Sequence, residues 1–272
     1  MKEEATYSSS LQGNTTGTKH LQRLRLRLRG AIVPIVIVLA WELITRAGLT
    51  DTLYMPPASS IAIAFFGMIW SGELLFHLRA SLMRIAMGFP IAMLVAIPLG
   101  LLFGWFQGLQ RWVEPVFDFI RPLPPITLIP VVILLFGIGD KSKVALVAYA
   151  CFWPIFLNSS AGVRNIDQAL IRLARVVEIQ GFAFFRKIIL PGAMPHVVTG
   201  IRASLAVSII TLLVSEMVGA TAGLGFLIVD AEQTLRIPKM FAGIVALGIV
   251  GYFFNDFLTH LERVIMKHRT LV

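Results

Sequence analysis

Six long apolar runs dominate this chain, at about 30–46, 81–106, 119–138, 142–161, 197–220 and 240–262. Each is long enough to cross about 30 Å of hydrocarbon as a helix. One soluble core cannot absorb so much apolar surface, so lipid must solvate it, and inside lipid the backbone has to satisfy its own hydrogen bonds. Charge content agrees. Only 14% of the 272 residues are Asp, Glu, Lys or Arg, against about 25% in an ordinary soluble domain. The expected fold is an all-α integral membrane protein with about six transmembrane helices. A shorter apolar stretch, residues 58–72, has the length of an interfacial segment.

Several chemistries are excluded at once. Cys151 is the one cysteine, so no intrachain disulfide framework or cysteine-rich metal site can form. No His pair has metal-ligand spacing, and no G-x-x-x-x-G-K-[ST] loop is present to bind a nucleotide. The net charge of +9 reads as a membrane orientation signal before it reads as nucleic-acid affinity.

Residues 1–20 are polar and Ser/Thr/Gly-rich, the composition of a disordered tail. Leu21 to Arg29 then alternate leucine with arginine, as expected of a basic interfacial anchor on anionic headgroups. A cleaved signal peptide is the alternative, but no small-residue cleavage site follows. With the N-terminus inside, sixteen Lys and Arg fall in cytoplasmic segments and six in outer ones, which places both termini in the cytoplasm. The organisation is therefore a tail and basic segment (1–29), a transmembrane domain (30–265) and a short cytoplasmic tail (266–272).

Between the fourth and fifth spans lies a loop, residues 162–196, longer than a connection needs. Residues 166–180 have helical periodicity, with Ile166, Leu170, Leu173, Val177 and Gln180 near one face. Gly181 can end that helix, and Phe182–Leu190 can form a second before Pro191 stops it. The bland reading is a solvated hairpin.

Ending in ILPGAMP, this loop resembles the cytoplasmic signature of the permease subunits of binding-protein-dependent ABC importers. The distal half matches through Ile188, Ile189, Leu190, Pro191 and Pro195. Counting back from Pro191, the family glutamate falls on Arg172 and the family glycine on Glu178; Ala174 is retained, and Gly181 comes three residues late. The likeness runs from about residue 30 to 265. It is closest to the taurine, aliphatic sulfonate and nitrate branch, through RPLPPITLIPVVILLFGIGDKSK (Arg121–Lys143), WPIFLNSSAGVRNID (Trp153–Asp167) and SEMVGATAGLGFLI (Ser215–Ile228).

The resemblance implies a type I importer permease fold with coupling helices in the loop. Arg172, Ala174, Arg175, Glu178, Gly181, Phe182, Phe184, Phe185, Leu190 and Pro191 would carry the ATPase-coupling surface. It also implies a second copy of the chain, two ATPase subunits on the cytoplasmic side and an external solute-binding protein. The chain itself would be no enzyme and would hold no cofactor, since ATP and Mg would sit on the partner ATPase. The implied solute is a small anion: sulfonate or taurine first, then nitrate or bicarbonate, then a pyrimidine vitamin precursor. The implied location is the cell inner membrane.

Span five carries Ser204, Ser208, Thr211 and Ser215, all within an arc of roughly 60°. Two readings stand: a hydroxyl-lined path for a polar solute, or hydroxyls that hold helices together in lipid. Glu216 adjoins the stripe, where an ionisable group must be paired or functional; Arg84 in span two and a backbone cap at the Gly219 turn are its candidate partners. Pro122, Pro124, Pro125 and Pro130 predict a kinked, irregular entry to span three. GATAGLGF (Gly219–Phe226) reads as a tight outer turn before a short helix.

An ion-coupled secondary transporter is the alternative function. It requires inverted repeats and midplane charges, and no internal repeat is visible. A membrane-embedded enzyme would need convergent His, Asp or Ser groups, but His77 and His196 fall on opposite sides.

Overall fold

A computed structural model describes residues 32–267; the basic segment 21–29 and the tails lie outside the described residues. The chain divides into two compact units, Met1–Ile63 and Ala64–Val272.

In the first unit, helix α1 covers 32–46, and α2 (Ala58–Trp70) begins near its end. The Glu42 carboxylate accepts from the Ser59 backbone N–H at 3.0 Å and from the Ser59 hydroxyl at 2.8 Å. It thereby places a negative charge at the α2 N-terminus, where orphan N–H groups and the helix dipole favour one. Arg46 pairs with the same carboxylate at 2.6 Å, and Trp41 Nε1–H donates to the Pro56 carbonyl at 3.1 Å.

The second unit is built on three long helices: α3 (Glu73–Trp105), α6 (Asp140–Arg164) and α9 (Leu190–Met217). Helix α6 lies between the other two and packs along both. In lipid, apolar side chains gain nothing from leaving their solvent, so close approach has to come from small residues. On α3 these recur every fourth position, as Gly88, Ala92, Ala96, Gly100 and Gly104, and all five are buried. At Gly100 a Cβ would stand 2.6 Å from the Ser159 Cβ and 2.7 Å from the Phe156 carbonyl oxygen. Ile85, Val147, Cys151, Ile155, Leu205 and Leu212 fill the seam. Leu75, Leu94, Ile210 and many other large apolar side chains point outward instead, as a hydrocarbon surround allows.

The third expected span is broken. Helix α4 runs from Gln107 to Ile120, a 3₁₀ turn covers Pro125–Leu128, and α5 spans Ile129–Phe136. The two halves meet at 84°. The clustered prolines explain the break, since they remove backbone donors. The carbonyls so released need partners: the Tyr149 hydroxyl donates to Ile120 O at 3.1 Å and Leu123 O at 3.4 Å. The span therefore begins near residue 107, earlier than the apolar run suggested, and Arg121 sits on its bend.

After α6 come α7 (Gln168–Val176) and a short α8 (Gly181–Phe184). The chain then passes through a π-helical stretch, Phe185–Ile189, straight into α9. Pro191 was expected to stop a helix here, and it does not. In a regular helix its ring would press on the carbonyl four residues back. The preceding wide turn, in which Leu190 N–H bonds to the Phe185 carbonyl, absorbs that conflict. A turn at Gly219–Gly223 leads to α10 (Leu224–Gln233), and α11 (Ile237–Lys267) closes the described chain. Four of the described helices are long and apolar enough to cross a membrane, or five counting the bent pair as one span.

Candidate functional site

Three groups of residues were singled out by the sequence, and the structure treats them differently. The first is Glu216, at the C-terminal end of α9. Its side chain is 1% exposed, and Arg84 Nη1 on α3 donates to its Oε1 at 2.6 Å, with the arginine itself 6% exposed. The Ser81 hydroxyl, one turn before Arg84, donates to the same carboxylate at 2.8 and 2.9 Å. The Gly225 backbone N–H donates to Oε2 at 3.0 Å.

Arg84 is shared further. Its Nε donates to Asp140 Oδ1 at 2.8 Å, its Nη2 lies 2.6 Å from the same oxygen, and Nη1 reaches the Ala222 carbonyl at 2.7 Å. Ser81 Oγ accepts from Leu224 N–H at 2.9 Å, and His77 Nδ1 accepts from Gly223 N–H at 3.1 Å. Lys143 Nζ bonds the Gly139 and Gly219 carbonyls at 3.2 and 3.3 Å. One knot of charge-assisted bonds thus ties α3, the start of α6, the end of α9 and the 219–225 turn together. Gly223 has φ +126°, and a Cβ there would collide with the Glu216 carboxylate. The Arg84–Glu216 pairing was legible as an option. Asp140, Ser81 and His77 were not, although Ser81 stands three residues before Arg84 on the same helix face.

The second group is the hydroxyl stripe. Ser204, Ser208, Thr211 and Ser215 are all buried within the chain's own helix packing. Ser204, Ser208 and Ser215 donate to carbonyls three residues back, Ile201, Leu205 and Leu212, at 2.7, 2.7 and 2.8 Å. Cys151 Sγ of α6 reaches the Ser204 carbonyl at 3.5 Å. Together with Glu216, these residues are turned inward rather than toward an open face. Of the two readings, hydroxyls closed on their own helix and covered by α6 suit the one in which they hold helices together.

The third group is the loop 162–196. Of the face named from periodicity, Ile166 is buried, and it packs with Val163, Ile189, Ala193 and Val197. Leu170, Leu173 and Val177 point outward with Val176, at 46%, 60%, 60% and 80% exposure. Ala174, between them, is buried. Arg172 is exposed, with its Nε donating to the Gln168 carbonyl at 3.3 Å; the Arg175 side chain lies outside the described residues.

Helix α7 ends at Val176, short of Gly181, because Glu178 turns the chain with φ +55°. The Ile179 N–H closes on the Ala174 carbonyl at 2.9 Å, which is the Schellman ending in which glycine usually takes the left-handed position. Gly181, at φ +59°, opens α8 where the sequence suggested a stop. Phe184 is half-buried against Trp105, 5.4 Å between ring centroids. Phe182 stacks on Phe185 at 6.4 Å and is 77% exposed. Leu190 and Pro191 are half-buried at the root of α9. The loop is anchored at one face and leaves an apolar face open.

Comparison with known proteins gives this arrangement a context. Residues 88–267 match the family model described as the binding-protein-dependent transport system inner membrane component. SsuC of Bacillus subtilis (strain 168), by name an aliphatic sulfonates transport permease protein, is 34% identical over 242 residues, 89% of this chain and 88% of its own length. The taurine transport system permease protein TauC of Escherichia coli (strain K12) is 32% identical over 233 residues, covering 84% and 85%. The bicarbonate transport system permease protein CmpB of Synechococcus elongatus is 27% identical over 261 residues, covering 91% and 94%. Among solved structures, an inward-facing form of the MetNI methionine ABC transporter superposes with a TM-score of 0.61 at 21% identity, covering 73% of this chain and 98% of that one.

Proposed function

The chain belongs to the binding-protein-dependent transport system inner membrane component family, and on that premise we propose that it imports a small organic anion of the sulfonate or taurine class. It is a multi-pass permease subunit of an ABC importer, and its named relatives are transport permeases rather than enzymes. The finer reading makes it half of a homodimeric channel with both termini in the cytoplasm. ATP and Mg act on a separate ATPase, and an external binding protein delivers the solute. Relatives named for sulfonates and taurine at 34% and 32% identity support that solute over bicarbonate, whose carrier is 27% identical.

The observation that carries the coupling role is the open apolar face of the loop. Leu173, Val176, Val177 and Phe182 are exposed in a segment that the charge bias assigns to the cytoplasm, where no lipid covers them. A patch of that kind marks a docking surface. The loop is also anchored, because Ala174, Ile189 and Ala193 are buried and the π-turn runs from α8 into α9 without a break. A push on the loop is therefore transmitted to span five as a body, as alternating access requires.

The test is purification of the tagged chain in mild detergent, with mass spectrometry of what accompanies it. An ATPase subunit present in equal amount, and lost when residues 172–190 are scrambled, is the expected result. A chain that purifies without an ATPase overturns the coupling role and favours the ion-coupled alternative.

A further inference from the structure

Helix α4 carries a polar stripe that this reading leaves unused. Gln110, Glu114, Asp118 and Arg121 are spaced four, four and three apart, so they share one side of the helix. Elsewhere on α4, Val113 and Phe117 pack into the core, while Arg111, Trp112, Val116 and Phe119 are exposed. The stripe faces α6 across a cleft of about 390 Å³, whose other wall includes Ser160 and Arg164.

Depth makes the charges informative. Arg121 lines the cleft together with Leu157 of α6, which stands seven residues, or about 10 Å, before Arg164 at the helix end. The carbonyl of neighbouring Ile120 is held by Tyr149, farther along still. Ionised side chains at such depth are not tolerated against lipid and are found around water-filled cavities or bound ligands.

The charges balance, and they are only half used. Asp118 and Arg121 pair with each other at 3.2 Å. Arg164 donates to the Ser160 hydroxyl at 3.0 Å, and Glu114 accepts from the Gln110 amide at 3.4 Å. Among the described residues, neither Arg164 nor Glu114 forms an ion pair. The cleft thus offers one guanidinium and one carboxylate on opposite walls. A simple anion matches only the first, whereas a zwitterion matches both.

We propose that this cleft is a station on the solute's way to the cytoplasm and selects an aminosulfonate: its sulfonate on Arg164, its ammonium on Glu114. The proposal rests on the importer reading and narrows its solute class. A phosphatidylethanolamine headgroup carries the same two ends, an ammonium and an oxyanion, so the test must separate the two sources.

The experiment compares uptake of taurine and of ethanesulfonate, which lacks the ammonium, in cells expressing the chain with its native partners. The binding protein is the same throughout, so a change in the uptake ratio originates in the permease. In Glu114→Gln the taurine-to-ethanesulfonate ratio is expected to fall about tenfold, as for a lost hydrogen bond to a charged group. Glu114→Asp should restore it, and Arg164→Gln should lower uptake of both. A ratio unchanged in Glu114→Gln, or absence of taurine uptake by the unaltered importer with its ATPase attached, overturns the aminosulfonate station alone. A ratio unchanged while native mass spectra of Glu114→Gln lose bound phosphatidylethanolamine assigns the cleft to lipid. Failure of the ATPase to accompany the chain counts instead against the importer reading.

Discussion

Arg84 and Glu216, 132 residues apart in the chain, meet at 2.6 Å with almost no solvent exposure. The pair joins the second span to the end of the fifth, and every oxygen of the carboxylate is otherwise occupied by Ser81 or Gly225. A buried pair of this kind is weak evidence of net stabilisation, but removing one partner strands the other.

Glu216→Ala is accordingly expected to destabilise the protein by about 3–5 kcal/mol, because the Arg84 guanidinium loses its buried counter-charge. A double variant, Arg84→Met with Glu216→Leu, should lose less than the two single changes summed. Thermal unfolding in detergent, run on both singles and the double, checks it. Strict additivity would show that the two groups do not depend on each other.

Gly100→Ala should destabilise by about 1–3 kcal/mol through overpacking, since its Cβ meets the Phe156 carbonyl at 2.7 Å and backbone cannot yield as a side chain can. Gly108→Ala, where the space is open, is the matched control in the same unfolding assay. Equal behaviour of the two would mean α3 and α6 are not closely seated.

Glu178→Gly is expected to stabilise the loop by about 1 kcal/mol, since an L residue at φ +55° bears the left-handed penalty that glycine escapes. Limited proteolysis of the loop should slow in the variant. Faster cleavage would contradict the helix ending described for α7.

Truncating Phe182 and Phe185 to Ala should cut solute uptake per ATP hydrolysed by about tenfold or more, the loss expected of a docking anchor, while leaving the chain inserted. Uptake and hydrolysis measured together in proteoliposomes with the ATPase test this. Normal coupling would remove the stacked pair from the docking surface.

Much of the fold was legible because it obeys one-dimensional rules. Apolar run length identifies spans. The proline cluster announced a break in span three, though not its 84° angle, which depends on Tyr149 holding the freed carbonyls. Even the departure at Glu178 kept a trace, since the residue standing where the resemblance expects glycine adopts a glycine conformation.

What the sequence determined by itself was which segments enter lipid and which loop emerges, because transfer free energy is summed residue by residue along the chain. Tertiary structure alone decided which way the polar residues face. Ser204, Ser208, Thr211 and Ser215 form a stripe at helical spacing whether they line a path or a seam, and only the docking of α6 against α9 turned them inward. The packing of α6 on α3 brought Asp140 to Arg84, and the placing of α4 beside α6 left Glu114 and Arg164 around one cleft, since contact between helices is set by how small residues let backbones approach, which periodicity within a single helix does not encode.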